Sequence, residues 1–387
     1  MDFDFTGEQT MLRNLARELL THESDPRAVR QMMEDPAGYS EGLWRQLAET
    51  GLLGIAIDPD HGGQGLGMVE LALVLEEMGR AAYPGPYFAT VVLAATAIDA
   101  GGDRAQKNAY LSGIASGKTR ATLAVLEDGL SLGPEGVDLR ARYQNGSYTL
   151  AGVKRFVSFA HVADVILVAA RTTESSDPTR GVTVFAVERD AAGLSLEPNV
   201  GIDLTSRTST VRLEDVRVGR GAVVGRVDDG WPIVVAALRR AAVGASAEML
   251  GAARKCLEMS VEYASVRQQF GQPIGTFQAV KHACADMLLE VENAHAATYY
   301  AAWALDADAP DAALAASVAK AYVSEAARKV CGSAIQVHGG IGFTWDYDLH
   351  LYFKRAKALE ALYGDADLHR EQVLREVLAP SAVPVLA

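Results

Sequence analysis

Two short stretches carry residue types that could do chemistry by their spacing. The first is Gln336-Val337-His338-Gly339-Gly340-Ile341-Gly342-Phe343. Glycines at 339, 340 and 342 let the backbone come close to a ligand and expose N–H groups that suit a pyrophosphate. The other reading is a helix stop, since Gly just past a helix is a common cap. The second stretch is Arg267-Gln268-Gln269-Phe270-Gly271. A guanidinium fork binds pyrophosphate bidentately; equally, a cation is favoured at a helix C-terminus by the helix dipole. Other patterns carry less. His282 and Asp286 have the i, i+4 spacing of an ordinary helix pair. Gly113 to Thr119 imitates a phosphate loop, but three residues rather than four separate its glycines, and it follows a helix rather than a strand. The stretch around Gly339 also lacks the preceding strand of a dinucleotide fold. Cys256, Cys284 and Cys331 are far apart, and the histidines form no ligand spacing, so no metal site is expected.

The elements that must position these residues divide the chain into three. Residues 1–119 read as helical. Thr6 and Gln9 have capping-box spacing ahead of the stripe Leu12, Leu15, Ala16, Leu19, Leu20. Further helices are expected over Ser40–Glu49, Met68–Met78 and Phe88–Ala100, parted by the breakers Asp58–Gly65 and Pro84–Pro86. Residues 120–226 change to short β-branched runs at 121–126, 137–143, 148–153, 165–170, 182–187 and 210–216, with Asn145-Gly146 as a hairpin turn. This predicts a small β-barrel or sandwich. Residues 227–379 return to helices, at 231–265, 277–304, 311–337 and 346–362, a four-helix bundle. Residues 380–387 read as a loose tail. The fold class is therefore α+β and multidomain.

Composition excludes several roles. The 387 residues are 49% hydrophobic and 22% charged, an ordinary globular balance. A formal net charge of −13 disfavours nucleic acid. No apolar run is long enough to span a bilayer. The start, Met1-Asp2-Phe3-Asp4-Phe5, is acidic and lacks signal-peptide character, so the cytoplasm is the expected location.

Gln336-x-x-Gly339-Gly340-x-Gly342-Phe343, followed by Lys354-Arg355-Ala356-Lys357, resembles the C-terminal signature of the acyl-CoA dehydrogenase family. So does Arg267-x-x-Phe270-Gly271 with Gln278, His282, Asp286 and Met287. The run Leu150 to Ser158, then Ala163-Asp164-Val165, is similar to the family's middle-domain motif. The resemblance covers essentially the whole chain. It implies a bound FAD between the β domain and the helical bundle, with Arg267, Phe270, Gln336, Gly339 and Gly340 as contacts that complete a neighbouring subunit's site. It implies that Phe156 and Ser158 meet the flavin ring. It implies an oxidoreductase acting on the CH–CH bond of an acyl-CoA thioester, an electron-transfer flavoprotein as acceptor, and a homo- or hetero-oligomer.

The sequence departs from the family where the proton acceptor should be. Members carry Glu before the glycine of a second turn, but this chain has Leu362-Tyr363-Gly364. Others carry it on the long helix about seven turns before the Arg, a place held here by Ala241, beside Arg240. The family's Thr-Glu-Pro and Gly-Ser loop is altered to Leu126-Glu127-Asp128 and Gly133-Pro134-Glu135. Three readings follow. One is a dehydrogenase with a displaced base, or with the base on a partner chain, as in heteromeric bacterial members acting on sterol side-chain thioesters. The second is a non-catalytic subunit that binds FAD or acyl-CoA. The third is a flavin monooxygenase on the same fold.

Overall fold

The computed structural model describes residues 4–378. The expected tail at 380–387 and the first three residues lie outside the described residues.

The chain opens with α1 (Gly7–Glu23), α2 (Pro26–Glu34), α3 (Glu41–Glu49) and α4 (Met68–Arg80). The expected capping box starts α1: Gln9 N–H donates to Thr6 Oγ1 at 3.1 Å, and Thr6 N–H to Gln9 Oε1 at 3.0 Å. Helix α2 was not expected. Asp25 accepts from Ala28 N–H at 2.8 Å, and Pro26 supplies the helical first position. A π-helical stretch, Phe88–Ala94, continues as α5 (Ala95–Gly101). Then come α6 (Arg104–Gln106), a second π stretch at Lys107–Leu111, and α7 (Ser112–Ala115).

Eight strands follow: β1 (Ala121–Ala124), β2 (Arg140–Gln144), β3 (Ser147–Ser158), β4 (Val165–Arg171), β5 (Val182–Glu188), β6 (Leu194–Asn199), β7 (Thr208–Gly219) and β8 (Val223–Val224). They form one sheet in the order β6-β7-β3-β2-β4-β5-β8, with β1 parallel to β4. Asn145 and Gly146 turn β2 into β3 with φ of 51° and 83°, the two positive values that suit a tight hairpin. Alternate residues from six of the strands, among them Tyr148, Leu150, Ile166, Val168, Phe185, Val211 and Leu213, meet in one buried cluster. Glu127, in the altered loop, accepts from Asp138 N–H, Leu139 N–H and the buried Lys154, and so braces the entry to β2.

The remainder is helical: α8 (Trp231–Val266), a hairpin of β9 (Gln268–Gln269) and β10 (Gln272–Pro273), α9 (Gln278–Asp306), α10 (Ala312–His338), α11 (Leu349–Ala361) and α12 (Ala366–Leu378). Helix α12 is a fifth helix where four were expected, and it packs with α11 and α9 around α10. Its start is capped by Asp365, whose carboxylate accepts from Leu368 N–H at 2.9 Å.

The residues fall into two compact units. One holds residues 14–71 and 83–241, including the sheet; the other holds, of the described residues, 4–13, 72–82 and 242–378. In the second, Glu248 and Arg355 form a buried ion pair at 3.4 Å, and Arg254 pairs with Glu76, which also accepts from Tyr299 at 2.7 Å. No described helix is long and apolar enough to cross a membrane. Among the described residues no group of three His, Cys, Asp or Glu could hold a metal ion.

Candidate functional site

Arg267 stands where α8 gives way to the short hairpin. Its N–H still donates to Tyr263 at 2.8 Å, as in a helix, while its carbonyl accepts from Ile274 N–H at 2.8 Å and closes the hairpin. The turn is Phe270-Gly271, with φ of 56° and 79°. A bulky residue in that region is uncommon and strained. Yet Phe270 is 91% exposed, with only an edge-on approach to Phe277. The Arg267 side chain is exposed and has no hydrogen bond or ion pair among the described residues.

The glycine loop begins where α10 ends. Gly339 adopts φ 64°, ψ −140°, a conformation that favours glycine, and its N–H caps the helix through Gln336 and Ile335. A Cβ added at Gly339 or Gly340 would meet nothing within 4 Å, so protein packing does not require either glycine. Gly342 differs: a Cβ there would lie 3.0 Å from the Ile335 carbonyl, which makes it a packing glycine. Gln336, Gly339 and Gly340 are all exposed.

A stack of rings joins these two motifs. Tyr263, one turn before Arg267, stacks on His338, the residue before Gly339, with centroids 4.4 Å apart. Tyr347 packs against both, at 6.5 Å and 5.0 Å. Burial lowers the His338 pKa, outweighing the backbone carbonyls that favour its protonation, so the stack is neutral at physiological pH. Arg267 then follows the stack at its Tyr263 end, and the open glycine loop follows it at the His338 end. That is a cradle for an anion: a fork of donors, and backbone that a phosphate can approach without a side chain in the way.

The second turn is built from the same unit. Tyr363 and Gly364 have φ of 62° and 97°. A Cβ at 364 would come within 2.6 Å of Leu368 and 2.8 Å of His369. His369 Nε2 lies 3.0 Å from the Tyr363 carbonyl, and since a carbonyl only accepts, Nε2 carries the proton. Burial pushes the His369 pKa down to about 4, so the ring is neutral. Lys320, from the third turn of α10, reaches the Gly364 carbonyl at 2.6 Å and the Glu360 carbonyl at 3.1 Å. Glu360 itself is engaged by Arg328 at 3.2 Å and Lys357 at 2.7 Å. Ala241 is fully buried in α8, within the other unit.

Phe156 and Ser158 also belong to that other unit. The pairing of β3 with β7 slips between Lys154 and Val157, a bulge that leaves Phe156 at φ 52° and 45% exposed. Ser158 is buried, and its carbonyl accepts from Thr122 Oγ1 at 2.7 Å. The structure thus brings Arg267 and Gly339 together through one ring stack, and holds Tyr363 in the same unit. Sequence reading missed the stack and Lys320. A charged residue on the buried stripe of Ala316, Ser324 and Ala327 was the available signal.

Comparison with known proteins gives matches over nearly the whole chain. Residues 6–118, 128–216 and 228–378 match the N-terminal, middle and C-terminal domain models of acyl-CoA dehydrogenases. A probable acyl-CoA dehydrogenase of Bacillus subtilis, YngJ, is 30% identical over 98% of this chain and 100% of that protein. The structure of butyryl-CoA dehydrogenase from Megasphaera elsdenii superposes with a TM-score of 0.91 at 26% identity, covering 98% of this chain and 100% of that one. A chain of the ChsE4–ChsE5 complex of Mycobacterium tuberculosis does so with 0.89 at 29% identity, covering 99% and 100%.

Proposed function

The chain belongs to the acyl-CoA dehydrogenase family, flavin oxidoreductases acting on CH–CH bonds, and from that premise we propose that it is an FAD-holding subunit whose catalytic carboxylate comes from a partner chain. The observation that carries this is a contrast between two kinds of position. The anion cradle we read is an exposed Arg267, without a hydrogen-bond or ion-pair partner among the described residues, together with glycines whose Cβ positions face open space. The two positions where the family places its carboxylate hold Tyr363 and Ala241.

FAD is the family's cofactor, and the cradle residues fit its pyrophosphate. Arg267 would neutralise the diphosphate, Gly339 and Gly340 would let it approach, and Gln336 and Phe270 would line the approach. By the family resemblance, Phe156 and Ser158 would face the ring of a flavin whose pyrophosphate is held by these cradle residues of a neighbouring subunit. Bound FAD supplies the acceptor for a hydride from the β-carbon of the acyl chain. The chain's own task is to hold the thioester so that its oxygen is hydrogen-bonded and the α-proton acidified. A phenol with an ordinary pKa of about 10, against about 4.3 for Glu, is protonated at pH 7 and accepts that proton poorly. A carboxylate on a partner chain would take it, with electrons then leaving to an electron-transfer flavoprotein in the cytoplasm. The three-part division at 119/120 and 226/227 belongs to the same reading.

The test is anaerobic. The purified chain should bind FAD, yet acyl-CoA thioesters should bleach it slowly or not at all, and co-expression with a Glu-bearing family member should restore bleaching. Rapid turnover by the chain alone, abolished in Tyr363→Phe, would make the tyrosine the catalytic group and overturn the proposal. A complex that binds FAD and never reduces it would identify a non-catalytic binding subunit.

A further inference from the structure

Lys320 is fully buried in the third turn of α10, a position where a charge is costly and methionine of similar length would fill the same space. Its ammonium meets no carboxylate at ion-pair distance among the described residues. It donates instead to three neutral oxygens: the Gly364 carbonyl at 2.6 Å, the Glu360 carbonyl at 3.1 Å and Ser324 Oγ at 3.3 Å. The two carbonyls bracket Tyr363. Glu360 lies in the last turn of α11, where carbonyls have no partner within the helix. The carbonyl between them, that of Tyr363, is held by His369 of α12 at 3.0 Å. Side chains of the flanking helices therefore fix the backbone on both sides of a tyrosine in the left-handed region. Lys320 holds the Glu360 and Gly364 carbonyls at once, so the largest share of these constraints comes from it.

We propose that Lys320 is a positioning residue, which fixes the direction in which the side chain of residue 363 leaves the backbone and so holds the slot where the family places its proton acceptor. The inference rests on reading Tyr363 as the occupant of that slot. It assigns to α10 a task that its apolar packing does not need. Loss of the ammonium frees the Glu360 and Gly364 carbonyls together, and a turn with Gly364 at φ 97° then has room to relax.

The experiment places 3-fluorotyrosine at position 363 of the full-length, FAD-loaded protein and records its fluorine resonance. A second sample carries the label at Tyr143, an exposed residue of the sheet, as control. In Lys320→Met the 363 resonance should shift or split into two, while the Tyr143 resonance and the far-ultraviolet circular dichroism stay as in the wild type. Should that variant fail to fold, Lys320→Gln, which keeps a donor but not the reach, is read in the same way. Two failures are distinguishable. A 363 resonance unmoved in a folded variant overturns the tether. A wild-type 363 resonance that ignores every member of a panel of acyl-CoA thioesters overturns the slot assignment on which the tether's function rests.

Discussion

Replacing Phe270 with glycine should change sign between the free chain and the assembled flavoprotein. In the structure Phe270 holds φ 56° and is 91% exposed, so the free chain bears the strain and recovers almost no burial. Left-handed backbone costs a non-glycine residue about 1–2 kcal/mol, and glycine's extra chain entropy returns about 0.5–1 kcal/mol of that. Phe270→Gly should therefore stabilise the FAD-free protein by up to about 1.5 kcal/mol, read as a rise of at most about two degrees in melting temperature. With FAD and a neighbouring subunit in place the same ring is expected to be covered. Burying a phenylalanine contributes about 1.5–3 kcal/mol, and at about 1.4 kcal/mol per tenfold the variant should bind FAD roughly ten- to a hundred-fold more weakly. Thermal melts of the apoprotein, beside fluorescence titrations with FAD, measure both limbs. A variant that melts lower without flavin, yet binds flavin as tightly as the wild type, would refute the reasoning, because Phe270 would then be serving the chain's own fold.

Other outcomes follow from the same geometry. Arg267→Ala should weaken FAD binding by about 1.5–3 kcal/mol, the range for a hydrogen bond to a charged group, with little change in the melting temperature of the FAD-free protein, since Arg267 has no hydrogen-bond or ion-pair partner among the described residues; equilibrium dialysis and a thermal melt check it. Gly364→Ala should destabilise by at least about 1–2 kcal/mol from backbone strain alone, with the clash against Leu368 and His369 added, and denaturant unfolding reads the loss. Burial pushes the Lys320 pKa down to about 7, against the pull of Asp365 and Glu360. An unfolded lysine titrates near about 10.4, so between those values the unfolded chain binds more protons and stability rises with pH. The penalty of burying this charge is full below pH 7 and relieved as pH climbs toward the unfolded value. Lys154, pushed down to about 8, adds a similar rise of its own, so the measurement is the wild-type pH profile minus that of Lys320→Met.

What could be read from the sequence was what repeats or what breaks. Short β-branched runs located six strands, Asn145-Gly146 located a turn, and the long apolar stripe after residue 231 located α8 within a residue or so. The misses have separate physical causes. Strand β6 contains Pro198, which argues against a central strand; it survives because β6 is the sheet's edge and needs to pair only with β7. Helices α2 and α12 are short, and their starts depend on Asp25 and Asp365 side chains rather than on a long stripe. The left-handed backbone at Phe156 arises from a slip against β7, and no pattern within β3 announces where a distant strand will pair. Lys320 is one residue in a run of alanines, and its role appears only when the turn at 364 is folded back onto α10.

The aromatic residues in left-handed backbone separate into two kinds. Phe159 holds φ 48° but is 5% exposed, stacks on His161, and donates its N–H to the Arg207 carbonyl at 2.8 Å; burial and bonding within the chain offset its strain. Phe270 and Phe156 hold similar values while 91% and 45% exposed, and nothing among the described residues buries either to that degree. Tyr363 lies between, half-buried, with the bonds that hold its backbone coming from α10 and α12. Strain persists in a fold when the surroundings over-determine it or when something outside the chain uses the result. For Phe159 the first explanation suffices. For Phe270 the surroundings are largely solvent, which supports the proposed contact with a flavin or another subunit. That inference uses only a dihedral angle and an exposed area, yet it selects a residue the sequence motif had already singled out as a flavin contact.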